Sequence, residues 1–185
     1  MKKWLYKIVF FRILGWKIIG SLSPEVKKCV MMVAPHTSWH EFYLGGFTRG
    51  IVRIPMHYVA KRELFKFPFS IYFKWMGGIP LDRKGSKDKV EAISKLFSQY
   101  DELRIAIFPE GTRKKVEALK TGFYYIAHTA NVPILPVAFD FKTKEVRIGD
   151  FFYTSGNYEQ DYLKIIPFFA GVKGKVSENG FNFDF

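Results

Sequence analysis

The chain has 185 residues, a formal net charge of +12 and 18% aromatic residues. Its length predicts one domain burying roughly 70% of its unfolded surface, so the fold needs neither disulfides nor a metal. The single cysteine, Cys29, excludes an intrachain disulfide and points to a reducing compartment, where it serves as a small buried hydrophobe. The basic balance asks for an anionic partner, either phosphate head groups, nucleic acid or a phosphorylated substrate. Many aromatics beside many lysines also suit a membrane interface.

No uninterrupted apolar run of about 18 residues exists, so no transmembrane helix is predicted. Residues 1–20 carry Trp4, Ile8, Phe11, Ile13 and Trp16 with Lys2, Lys3, Lys7, Arg12 and Lys17, and no acid precedes Glu25. At helical spacing Trp4, Ile8 and Phe11 share one face while Lys3 and Lys7 turn away, which fits an in-plane membrane anchor. A terminal helix packed on the domain is the alternative. A signal peptide is disfavoured by the broken apolar core and the lack of a small-residue cleavage site.

Farther along, strands are expected at 16–20, 29–34, 56–60, 79–81, 103–108, 134–139 and 144–148. Helices are expected at 39–50, 68–76, 86–100, 121–130 and 158–172, the last kinked near Pro167. In the 86–100 helix, Val90, Ile93, Leu96, Phe97 and Tyr100 fall on one face, and Ser86 is the expected N-cap. The last dozen residues read as loosely ordered. The alternation predicts an α/β fold, a central mostly parallel sheet flanked by helices, in a single domain over 1–185. In such sheets ligands gather at the loops after strand C-termini.

Three such loops carry chemistry. In Pro35-His36-Thr37-Ser38-Trp39-His40-Glu41, His36 follows a buried strand and Glu41 lies five residues on. A carboxylate on one ring nitrogen fixes the tautomer and leaves the other nitrogen free to take a proton. Of the four histidines, His36 alone has a carboxylate at this spacing. A satisfied structural histidine and a metal site using His36, His40 and Glu41 are the competing readings, the latter lacking a further ligand with an identifiable context. Phe108-Pro109-Glu110-Gly111-Thr112-Arg113 brings an acid, a glycine, a hydroxyl and a guanidinium together after a strand. Arginine suits bidentate phosphate binding, and glycine admits a ligand close to the backbone. Gly77 to Lys84 ends another short strand in Arg83. Each of the last two segments also reads as a surface turn, but two strand-terminal arginines near glycines favour a phosphate cradle.

Taken in order, these blocks resemble the glycerolipid acyltransferase family, with its His-x4-Asp block, Gly-rich block ending in Arg, Pro-Glu-Gly-Thr-Arg block and later Val-Pro-Ile-x-Pro-Val strand. They correspond to residues 36–41, 77–83, 108–113 and 132–137, and Lys120-Thr121-Gly122 resembles the family's Lys-x-Gly helix start. Two positions depart from the pattern: Glu41 stands in place of the aspartate and Pro35 where many members have asparagine.

The resemblance implies direct acyl transfer from acyl-CoA or acyl carrier protein to the hydroxyl of a lysophospholipid acceptor such as lysophosphatidic acid, with no cofactor or metal. His36 would be the general base and Glu41 its orienting carboxylate. Arg83 and Arg113 would hold phosphate, and Glu110, with Gly111 and Thr112, would meet the acceptor. Lys120 would assist with phosphate or the oxyanion. The aromatic stretch from Phe65 to Trp75 lines an acyl groove, lies in the membrane or belongs to the core. The expected site of action is an anionic membrane surface on the cytoplasmic face. Other readings are acylation of a lyso-aminolipid and a catalytically weak lipid-surface binding protein. Nucleic-acid binding is disfavoured because no recognisable motif or basic helix is present. A serine hydrolase is disfavoured because no Gly-x-Ser-x-Gly elbow exists.

Overall fold

The computed structural model describes residues 3–81 and 86–184. Its frame is a seven-stranded sheet with strand order β1-β7-β6-β2-β5-β3-β4. In chain order the strands are β1 (Lys17–Ile19), β2 (Lys28–Ala34), β3 (His57–Lys61), β4 (Gly78–Leu81), β5 (Leu103–Ile107), β6 (Ile134–Asp140) and β7 (Glu145–Ile148). β2 through β6 run parallel to one another, and β7 pairs antiparallel with β6.

β2 shows why the sheet is parallel and central. Cys29 through Ala34 are all buried, and an uninterrupted apolar run of this kind needs cover on both faces. One face is covered by α4 (Ser86–Gln99), α5 (Gly122–Ala130) and α6 (Tyr158–Ile165), which contribute Phe97, Phe123 and Ile165 to the core there. The other face is covered by α1 (Lys3–Lys7), which widens into a π-helical stretch over Ile8–Ile13, and by α2 (His40–Val52). Their core contributions include Phe10, Leu44 and Ile51. Each such side chain, fully buried, is worth about 1.5–3 kcal/mol. Lys28 Nζ donates to the Phe97 carbonyl at 2.8 Å, placing a cation at the C-terminal end of α4.

The α/β architecture read from the sequence is present, with local differences. The helix expected over 86–100 ends at Gln99, leaving Tyr100 exposed. Ser86's capping side chain lies outside the described residues, as does Arg83. The helix expected over 158–172 stops at Ile165 and continues as one 3-10 turn over Ile166–Phe169, with Pro167 at its start, where a missing N–H costs least. Within residues 1–20 the helical part ends at Ile13. Trp16 is buried and Lys17–Ile19 joins the sheet.

The C-terminal segment corrects its expectation outright. Phe183 is buried against Phe169, and the Gly171 N–H donates to the Phe183 carbonyl. The segment has little regular structure because its hydrogen bonds go to other parts of the chain. Val116 N–H donates to the Gly180 carbonyl and Gly180 N–H to the Lys114 carbonyl.

Candidate active site

The loops after β2 and β5 leave the sheet at one end, because these strands are parallel, and β4, parallel to them, has Leu81 at the same end. His36 follows β2 at the centre of the sheet, and Glu110 to Arg113 follow β5 beside it. Neighbouring strands stand about 4.8 Å apart, so both loops border one opening.

Glu41 sits in the first turn of α2 and folds back over its own loop. Its Oε1 accepts N–H groups from Thr37 (3.2 Å) and Ser38 (2.9 Å) and the Thr37 hydroxyl (3.3 Å). Its Oε2 lies 3.3 Å from His36 Nδ1, with the ring turned off the hydrogen-bonding direction. The extra methylene of glutamate is taken up by this return. The carboxylate reaches the imidazole but spends its best-aligned lone pairs on the loop's backbone. The His36 ring lies against Phe108, with centroids 4.0 Å apart, which fixes it from the β5 side.

A cleft of about 1550 Å³ opens here. His36, Gly111, Arg113 and Lys120 stand on its walls, and its interior is largely apolar, with Val33, Val137, Phe139 and Ile107 among the lining. Gly111 adopts φ +65°, a conformation easy for glycine. A Cβ at Gly111 would stand 2.6 Å from Lys120 Nζ, so the missing side chain lets the ammonium lie over this turn. The Lys120 N–H donates to the Pro109 carbonyl at 2.8 Å, tying the two segments together.

The other expected site residues are placed differently. Glu110 is buried and turned to the back of the His36 loop, where its Oε1 accepts the His36 N–H at 2.8 Å. Burial pushes its carboxyl above the usual range, against the lowering effect of that N–H. The Thr112 hydroxyl accepts the Lys114 N–H at 3.3 Å. His40, weighed as a metal ligand, turns its Nδ1 to the Ser38 hydroxyl at 2.5 Å. Among the described residues no three His, Cys, Asp or Glu side chains are grouped so as to hold a metal ion.

The sequence profile of the family described as Acyltransferase matches residues 20–140, more than half of the chain. This chain belongs to the acyltransferase family. Curated relatives include the 1-acyl-sn-glycerol-3-phosphate acyltransferase of Salmonella typhimurium, 33% identical over 105 residues, covering 54% of this chain and 43% of that protein. The enzyme of the same name from Bacillus subtilis is 29% identical over 128 residues, covering 68% and 62%. The chain thus spans about two-fifths to three-fifths of the length of these relatives. Among solved structures, the 1-acyl-sn-glycerophosphate acyltransferase of Thermotoga maritima superposes with a TM-score of 0.55 at 21% identity, over 87% of this chain and 72% of that one. This last likeness concerns the fold.

The structure also brings forward residues that the sequence reading missed. The turn Lys173-Gly174-Lys175 lies directly on the His36 loop: a Cβ at Gly174 would stand 2.4 Å from Thr37 Cγ2. Val176 N–H donates to the Thr37 hydroxyl at 3.4 Å. The sequence signal was the glycine between two lysines. It lies far along the chain from His36, and only the fold brings the two together.

Proposed function

We propose that the chain transfers a fatty-acyl group from a thioester, acyl-CoA or acyl carrier protein, to the hydroxyl of a lysophospholipid such as lysophosphatidic acid. The observation that carries this reading is the position of His36. Backed by Glu41, it stands in a cleft that is apolar inside and carries Arg113 and Lys120.

The acyl chain occupies the apolar part of the cleft, and the acceptor phosphate is held at Arg113 and Lys120. The free nitrogen of His36 takes the acceptor hydroxyl's proton as that oxygen attacks the thioester carbonyl. Glu41 stabilises the imidazolium that results. Collapse of the tetrahedral adduct breaks the carbon–sulfur bond. The thiolate takes the proton from His36, leaving an ester and a free thiol. Lys120 faces the developing oxyanion or the phosphate. Gly111 admits the ligand close to the backbone, and Thr112 braces the Arg113 turn. Glu110 acts through His36 as a positioning residue, because its carboxylate is spent on the histidine's main chain. The family pattern assigns Arg83 to phosphate as well.

The same proposal places the protein peripherally on an anionic membrane, on the cytoplasmic face. No described helix is long and apolar enough to cross a membrane. The N-terminal helix packs Tyr6 and Phe10 inward and leaves Trp4, Ile8 and Ile13 exposed. Around α3 (Phe69–Trp75), Phe67, Phe69, Ile71 and Trp75 are exposed, Phe67 to 85%. α1 meets α2 at Gly50 and the segment after α3 meets it at Gly46, so two apolar surfaces flank the helix that begins at the catalytic loop.

A catalytically weak lipid-surface protein is the second reading. It draws on the unaligned contact between His36 and Glu41. The test is transfer of labelled acyl groups from both carriers to lysophosphatidic acid on vesicles, with wild type and His36→Ala. Turnover that vanishes in His36→Ala supports the transferase. Vesicle binding without turnover on any lyso-acceptor supports the second reading.

A further inference from the structure

On the other flank of His36 lies a second depression of about 430 Å³. Lys142, which follows β6, and Lys144, which precedes β7, form part of its wall, and Lys173 and Lys175 close it from the turn that lies on Thr37. Trp16, Tyr43 and Phe141 supply aromatic sides, and His40 of the catalytic loop completes it. The depression therefore adjoins the His36 loop through His40 and through the Gly174 turn that lies on Thr37.

Its charge is not neutralised locally. Asp140 pairs with Arg147 at 2.7 Å, and Glu145 pairs with the same arginine at 3.0 Å. Asp184 pairs with Lys173. Among the described residues no carboxylate pairs with Lys142, Lys144 or Lys175. Lys144 Nζ spends one donor on the Leu14 carbonyl at 3.3 Å. Three ammonium groups without a carboxylate partner beside one small concavity make a site for phosphate oxygens, since an ammonium is a compact point charge with three donors.

We propose that this depression receives the phosphate end of the 4′-phosphopantetheine arm that carries the acyl thioester. The inference rests on the transferase reading. In direct transfer two anionic substrates meet at His36. Arg113 and Lys120 serve the acceptor on the β5 side, and the acyl chain runs into the apolar cleft. The carrier must leave the thioester in a third direction, and the β6–β7 side offers unneutralised charge. β7 lies two strands from β2, about 10 Å at ordinary strand spacing, a gap the flexible pantetheine arm crosses. The aromatic sides suit an arm of amide and methylene units.

The test is equilibrium binding of coenzyme A, and of phosphopantetheinylated and unmodified carrier protein, to the wild type and to Lys142→Gln/Lys144→Gln/Lys175→Gln. All three lysines are exposed, so the variant should melt as the wild type does; Lys142→Glu/Lys175→Glu serves as a second variant. Coenzyme A or the modified carrier protein binds the wild type, and the triple variant weakens that binding by about tenfold or more. Which of the two probes binds identifies the carrier. Binding by neither overturns the proposal, as does wild-type affinity in both variants. Loss confined to anionic vesicles assigns the lysines to lipid head groups and overturns it equally. Because binding is read without turnover, an inactive protein still decides this inference, while the transfer assay decides the other.

Discussion

The backbone N–H of His36 donates to the carboxylate of Glu110, 74 residues away, at 2.8 Å. The acid of the Pro-Glu-Gly-Thr-Arg block is thereby tied to the main chain of the His-x4-Glu block. Glu110→Ala leaves a part-buried N–H without its charged acceptor, which costs about 1 kcal/mol. It also frees His36 to drift, and misplacement by about 1 Å lowers kcat on the order of 100-fold. Glu110→Gln keeps an oxygen acceptor and restores most of both. The kcat and acceptor KM of the three proteins check this, since a direct acceptor contact would raise KM instead.

The same carboxyl gives a pH signature. Its pKa is raised in the fold, chiefly by burial. The unfolded chain therefore releases this proton first as pH rises. Between the ordinary glutamate value and the raised value, the folded state binds more protons and stability falls with pH. Glu110→Gln removes that slope, so melting temperatures from pH 4 to 7 should fall less steeply in the variant than in the wild type.

Glu41 anchors Thr37 and Ser38 while facing His36. Glu41→Ala strips charged acceptors from two buried N–H groups, at about 3 kcal/mol or more, and lowers kcat. Glu41→Asp, which restores the family's usual residue, holds or raises kcat. Melting curves and initial rates on lysophosphatidic acid vesicles check both.

Gly111→Ala sets a Cβ against Lys120 Nζ at a backbone angle that disfavours side chains. The expected result is a loss of about 1 kcal/mol in stability. Acceptor KM should rise as the ammonium is displaced. Lys120→Ala in the Gly111→Ala background should then add little, which a double-mutant cycle reads directly.

Trp4→Ser/Phe67→Ser/Trp75→Ser removes three exposed rings and should leave melting unchanged while weakening sedimentation with anionic vesicles by about tenfold. Unchanged vesicle binding would remove these surfaces from the membrane proposal.

Cys29 is fully buried in β2, and burial pushes its thiol up to about 12. Alkylating reagents at pH 8 should leave the native protein unmodified and label it on unfolding, which intact-mass measurement shows.

Much of the fold was legible because periodicity and apolar runs report burial directly. Ile93 and Phe97 mark the core face of α4, and the run from Cys29 to Ala34 marks a strand covered on both sides. The Glu41 return onto His36 was also readable, since both partners lie within one short loop. Glu110 was read as facing substrate because sequence spacing carries no information about which side of a strand-end turn a side chain takes. The lysine depression was unreadable for another reason: its residues come from separate segments and are gathered by the sheet order. The C-terminal segment misled because a chain without periodic pattern resembles disorder even when Phe183 anchors it.

Val176 and Thr37 are 139 positions apart along the chain, yet their hydrogen bond seats one loop on the other. Closing so long a loop is entropically unfavourable, and contacts of this separation form late. β1 and β7 join Lys17 to Glu145 over almost as long a separation, so a refolding chain will complete this edge of the sheet and the seat of the histidine loop late, after its helices and the local β3–β4 pair. In stopped-flow refolding, recovery of acyl transfer should trail recovery of the far-ultraviolet signal.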